Sequence, residues 1–304
     1  MIHIARFALL LLAQSTAANP QCTGDTTTVT WAPATPLEGS VIQFMVAPAR
    51  VESEDDGGLS ISGEVTDQQL HFEVDHAGCY RALAPIPVGT PDTLLVVMTI
   101  DGASDGLERV SVQIPVGRIR TGVLQLSVDP RFISPPDSVR PRIQAERELV
   151  GSVSRGSHDT PRLWSGSFLR PRATRITANF GQRREFNGEL RSLHLGVDLA
   201  GATGTPVIAS NRGIVVIVHH FYYAGNAIHI DHGNGLTTAY MHLSEMNVAV
   251  GDTVARGEVI GRVGSTGRVT GPHLHWHAKY GLVTVNPLTL LEVETADVVQ
   301  GGRP

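Results

Sequence analysis

Apolar and polar positions alternate with a period of two along most of this chain, and that alternation marks half-buried β-strands. The runs 27–31, 41–46, 70–74, 93–100 and 110–114 are rich in β-branched and aromatic residues. Asp55-Asp56-Gly57-Gly58 and Asp101-Gly102 interrupt them with hairpin-turn chemistry. About seven short strands over about a hundred residues predict an immunoglobulin-like β-sandwich for residues 22–130. The alternation stops at Ile133-Ser134-Pro135-Pro136, and the charged stretch 141–153 carries Ile143, Leu149 and Val150 at helical spacing. Residues 131–172 therefore read as a connector with one helix. From 173 to 291 the period of two returns between glycine turns such as His232-Gly233-Asn234-Gly235 and Gly251-Asp252. The prediction is a mainly all-β protein with a second, antiparallel β domain at 173–291 and a tail at 292–304.

The candidate chemistry lies in that second domain. In Gly271-Pro272-His273-Leu274-His275-Trp276-His277 three histidines alternate with apolar residues. On a strand they leave one face at steps of about 7 Å. Protonated neighbours there would repel, whereas a divalent metal makes the arrangement favourable, since neutral imidazole is a zinc ligand. Taken alone, the run reads equally well as a half-exposed strand that carries histidine. Upstream, His194-Leu195-Gly196-Val197-Asp198 puts a histidine and a carboxylate four residues apart, on one face of an extended segment. His194, Asp198 and one of the pair His273 and His275 would supply two nitrogens and one oxygen, leaving a fourth position for water, as catalytic zinc requires.

No cysteine is near enough to close such a site, and His-Glu-x-x-His is absent, so no adjacent glutamate is the obvious base. The remaining strand histidine and His242 are the candidates for base and oxyanion stabiliser. His219, His220, His229 and His232 read as structural or surface residues, Asp231 as a turn residue, and His71, His76 and His158 as isolated.

Compartment and charge narrow the partners. A weakly positive start, an apolar run at 7–13 and small residues up to Ala18 read as a secretory signal peptide over residues 1–18. No later stretch reaches membrane-spanning length, so the expectation is a periplasmic or secreted protein without a transmembrane anchor. In such an oxidising compartment the only two cysteines, Cys22 and Cys79, could pair. With a net charge of −5 and no concentrated Lys/Arg surface, nucleic acid is not an expected partner.

The motifs Phe180-Gly181-Gln182-Arg183, His194-Leu195-Gly196-Val197-Asp198, Gly204-Thr205-Pro206-Val207, Tyr240-Met241-His242-Leu243, Gly251-Asp252-Thr253-Val254 and Gly271-Pro272-His273-Leu274-His275 together resemble the lysostaphin-type zinc metallopeptidases, the LytM-domain murein endopeptidases. The resemblance covers about 176–291. The first half is similar, more weakly, to the upstream region of exported Gram-negative members. It implies a small antiparallel domain (the duplicated hybrid motif) with a groove across the sheet. It also implies one Zn²⁺ on His194, Asp198 and His275, with His242 and His273 as catalytic histidines. The implied activity is a zinc-dependent endopeptidase acting on peptidoglycan stem peptides, with the D-Ala–diaminopimelate cross-link as the leading bond. A second reading is a non-enzymatic relative that activates a cell-wall amidase, although such members generally lose metal ligands that this chain keeps. The N-terminal domain is expected either to bind cell wall or to cover the groove as a regulatory element. Where many members carry an acidic residue after His-x-His, this chain has His277, expected to be exposed.

Overall fold

The computed structural model describes residues 8–9, 22, 26–49, 59–103, 106–188 and 190–293. Residues 1–18, the expected signal peptide, apart from Ala8–Leu9, and residues 294–304 of the expected tail lie outside the described residues. Two compact units meet in sequence between Arg118 and Ile119.

In the first unit, counting strands from Thr28, one antiparallel sheet runs Thr28–Ala32, Val41–Ala47, Tyr80–Pro85, Glu73–Val74. The other runs Gly106–Pro115, Thr93–Ala103, Ser60–Val65, Gln68–Gln69. That is the first-second-sixth-fifth and eighth-seventh-third-fourth order, the A-B-E-D and G-F-C arrangement of an immunoglobulin sandwich. Alternation sets the core: Leu94, Val96, Met98 and Ile100 are buried while Leu95 between them is exposed. They meet Ile42, Phe44 and Val46 of the facing sheet. Cys22 and Cys79 form a disulfide with Cα atoms 5.1 Å apart.

The second unit rests on one large antiparallel sheet. Its order is Ile176–Ala178, Val197–Ala200, His273–Tyr280, Leu236–Met246, Gly225–Gly233, Gly213–Phe221, Thr253–Val254. The histidine strand lies inside this sheet, between Val197–Ala200 and Leu236–Met246. Its Leu274, Trp276, Ala278 and Tyr280 are buried, while His273, His275, His277 and Lys279 are half-buried on the opposite face. The pleat thus divides the strand into a core face and a groove face. Tyr240 pairs with Trp276 and is equally buried.

The helix falls where the periodicity predicts it, at Arg140–Gly156, with Pro141 in its first turn, where no backbone N–H is needed. Its inward stripe is the buried Ile143, Glu146 and Ser154 with the half-buried Val150 and Val153, rather than Leu149, which is exposed. Val150 and Val153 pack on Ile217, Phe221, Ala227 and Met241. Met241 pairs directly with His275, so the helix sits on the histidine-bearing face of the sheet. The segment read as a connector therefore builds part of the second unit. Strand Val123–Leu126, assigned from sequence to the first domain, also joins the second unit, pairing in parallel with Arg183–Phe186. Alternation identifies a strand but not the sheet it joins, which is why the boundary moves from 130 to 118.

Trp276 is wholly buried at the centre of this core. Trp276→Ala should destabilise the second unit by about 3–5 kcal/mol. Denaturant unfolding of both proteins reads this as a lower midpoint.

Candidate metal centre

Asp198 and His275 face each other across an antiparallel strand pair, directly in register. Opposite residues share a face, so the carboxylate and the imidazole meet without any special loop. Asp198 Oδ1 lies 2.8 Å from His275 Nδ1. His194 arrives differently. In a fully extended segment a residue and its fourth neighbour would stand about 13 Å apart, yet His194 Nε2 is 3.0 Å from Asp198 Oδ1 and 2.9 Å from His275 Nδ1. The chain bends at Gly196 before strand Val197–Ala200 begins, and the bend brings the two donors together. A Cβ on Gly196 would stand 2.5 Å from the His275 ring and 2.8 Å from the Trp276 carbonyl oxygen, so only glycine leaves room for that imidazole.

Three ligand atoms thus form a triangle with sides of 2.8 to 3.0 Å. Their protonation is constrained from outside. His194 Nδ1 donates to the Asn179 carbonyl oxygen at 2.9 Å, which leaves a lone pair on Nε2 of the neutral ring. That lone pair points at the Asp198 carboxylate, an unfavourable contact unless a cation lies between them. An outer backbone carbonyl that fixes the tautomer is the usual support of a metal-binding histidine. His194, Asp198 and His275 are one of the groups of the described residues able to hold an ion. Two imidazole nitrogens and one carboxylate oxygen suit zinc.

Electrostatics agree with an anionic Asp198 beside a neutral His275. Burial raises the Asp198 carboxyl, but the close approach of His275 and His194 outweighs it and holds the group well below the usual carboxylate range. Burial pushes His275 down to about 4, against the pull of Asp198. Asp198 Oδ2 accepts from the Arg184 guanidinium at 2.5 Å, leaving Oδ1 to the triangle.

Arg184 is absent from the sequence reading. Two consecutive arginines, Arg183 and Arg184, open a strand, and alternation tells that only one faces the site without telling which.

His273 and His242 join the same cluster. His273 Nε2 is 3.6 Å from Asp198 Oδ1, and its Nδ1 donates to the Gly271 carbonyl oxygen at 2.8 Å. His242 Nδ1 donates to the Thr266 carbonyl oxygen at 2.8 Å, and its ring centroid is 5.0 Å from that of His273 and 5.9 Å from that of His275. Strand alternation would send His242 to the opposite face, because Met241 pairs with His275. A register shift follows it, and its φ of 65° is left-handed. The irregularity turns the imidazole onto the groove face at a cost of about 1–2 kcal/mol. Burial, then His275 and His273, lower its pKa well below the ordinary value.

The other histidines separate cleanly. His232 is buried between the Arg212 carbonyl and Thr238 Oγ1, a structural role. Asp231 accepts from Thr160 and from the Gly233 N–H, as a turn residue does. His277 is not exposed: it is half-buried on the groove face, 6.3 Å from His275 between ring centroids, because it continues the alternation.

Residues 192–287 match the model of Peptidase family M23. A DD-carboxypeptidase/endopeptidase, Mpg, of Neisseria meningitidis is 46% identical over 130 residues, which cover 43% of this chain and 30% of that protein. The peptidoglycan DD-endopeptidase ShyA of Vibrio cholerae is 48% identical over 103 residues, 34% of this chain and 24% of that protein. The chain thus spans less than a third of the length of these curated relatives. A Pseudomonas aeruginosa structure described as a putative peptidase M23 shares the fold, with a TM-score of 0.62 at 23% identity over 84% of this chain and 94% of that one. No helix among the described residues is long and apolar enough to cross a membrane.

Two substitutions probe the triangle. Gly196→Ala should displace the His275 ring and lower zinc affinity at least tenfold. Arg184→Ala should weaken zinc less, by about 10–100-fold, the usual scale for a residue that holds a ligand in place. Competition with a chelator of known affinity measures both.

Proposed function

The second unit carries a domain of Peptidase family M23, and on that premise we propose that the protein is a zinc-dependent peptidoglycan endopeptidase that cuts peptide cross-links, with the D-Ala–diaminopimelate bond as its target. The observation that carries the reading is the donor triangle of His194, Asp198 and His275, whose His194 lone pair faces a carboxylate. His194, Asp198 and His275 would hold the ion. Bound zinc supplies Lewis-acid chemistry, drawing the pKa of water toward neutrality and polarising a carbonyl.

The protein's own residues do the rest. His242 and His273 each spend Nδ1–H on a backbone carbonyl, so each turns an acceptor Nε2 away from that anchor. Neutral imidazole in that tautomer can take a proton from the attacking water. The ring that has gained a proton can then donate to the developing oxyanion or to the departing amine. Burial keeps His242 neutral, the form a base requires. The groove floor of half-buried strand residues gives an extended peptide a surface beside these groups. Relatives named as peptidoglycan DD-endopeptidases support the substrate class, and they support an export route with work in the periplasm or outside the cell. The amidase-activator reading needs no metal, and a complete donor set favours hydrolysis over it.

His242→Ala should keep zinc while turnover of purified sacculi falls about 10²–10⁴-fold, the usual contribution of one acid–base group. Metal content and muropeptide release, identified by mass, give the two readouts; near-normal turnover with zinc bound would remove His242 from the mechanism. Chelation should abolish cleavage and added Zn²⁺ should restore it.

A further inference from the structure

Beyond the metal centre, the groove floor continues along strand His273–Tyr280 through His277 to Lys279, both half-buried on the same face as His275. Register places His229 opposite Ala239 and Ala239 opposite His277. The two imidazoles therefore flank the small Ala239 side chain. Neither ring makes a hydrogen bond among the described residues, although His229 is 95% buried. The Lys279 ammonium forms no ion pair there either, and its electrostatic neighbour is a second cation, Arg155, in the last turn of the helix.

The acids nearest this floor are engaged elsewhere. Asp198 is held by His194, His275 and Arg184. Asp231 is held by Thr160 and the Gly233 N–H, and Glu146 by Arg142 and the Tyr222 N–H. What remains is a partly desolvated cation without a counterion among the described residues, beside imidazoles with free hydrogen-bonding capacity. Such a site favours an anion. It begins one strand step beyond His275 and reaches Lys279 about 13 Å along, the span of a few extended residues.

We propose that His277 and Lys279, with His229 and Arg155 beside them, form a subsite for a free carboxylate of the substrate, set beside the metal centre along the groove floor. This rests on the peptidoglycan reading above, in which the stem peptide brings carboxylates next to the bond that is cut. Lys279 supplies the charge and His277 an N–H donor. An acidic residue at position 277 would repel the same group, so His277 is what allows the floor to accept it.

The test uses the zinc-loaded full chain and two cross-linked stem-peptide dimers, one with the diaminopimelate carboxylate free and one with it amidated. The free acid should be preferred at least tenfold in kcat/KM, mostly through KM. Lys279→Met and His277→Glu should each bring that ratio close to one at equal zinc content, and Lys279→Arg should keep it. A ratio near one in the unmodified protein, or a ratio untouched by both variants, overturns the subsite. If neither dimer is cut, the hydrolase reading fails separately, and binding then decides the subsite. N-acetyl-D-alanine should shift the imidazole NMR signals of His277 and His229, its amide should not, and Lys279→Met should abolish the shift. Absence of any shift with N-acetyl-D-alanine rejects the proposal.

Discussion

The antiparallel pairing of Asp198 with His275 is the constraint on which the site depends. One register puts a carboxylate oxygen and an imidazole nitrogen 2.8 Å apart on the groove face. A slip of one residue would turn every side chain of the strand over, sending the histidines into the core and Trp276 into the groove. The core side chains Leu274, Trp276, Ala278 and Tyr280 forbid that slip, because their burial is lost with it. Hydrophobic packing on one face therefore holds polar chemistry in position on the other.

Around that pair, backbone irregularity does what regular strand geometry cannot. A bend at Gly196 brings His194 back onto Asp198, and the missing side chain at Gly196 gives His275 its place. A left-handed residue at His242 turns a core-facing position into a groove-facing one. Both departures concentrate at the candidate centre, as expected where geometry serves chemistry rather than stability. Backbone carbonyls of Asn179, Thr266 and Gly271 then select the tautomers of His194, His242 and His273. Three histidines are thereby given distinct orientations by the main chain.

The helix Arg140–Gly156 has a place in the same arrangement. Its apolar stripe covers Phe221, Ala227 and Met241, so it occupies part of the histidine-bearing face. The chain upstream of the matched family segment thus builds part of the second unit. Buried Glu146 ties the helix to the hairpin at Tyr222 through its backbone N–H.

Much of this was legible in the residues. Period-two alternation located many of the strands of both units and the common face of His273, His275 and His277, because the pleat makes face a local property of sequence, and helical spacing at 141–153 marked the helix observed at Arg140–Gly156. The donor types His194, Asp198 and His275 were legible as zinc chemistry, and the family resemblance narrowed the choice between His273 and His275. Tertiary structure decided what depends on partners distant in the chain: that Val123–Leu126 joins the second sheet, that Arg184 and not Arg183 reaches Asp198, that His277 lines the groove, and that His242 turns toward it. Alternation carries no information about which strand lies alongside or where a bulge inverts a face, since both are set by packing between segments tens of residues apart.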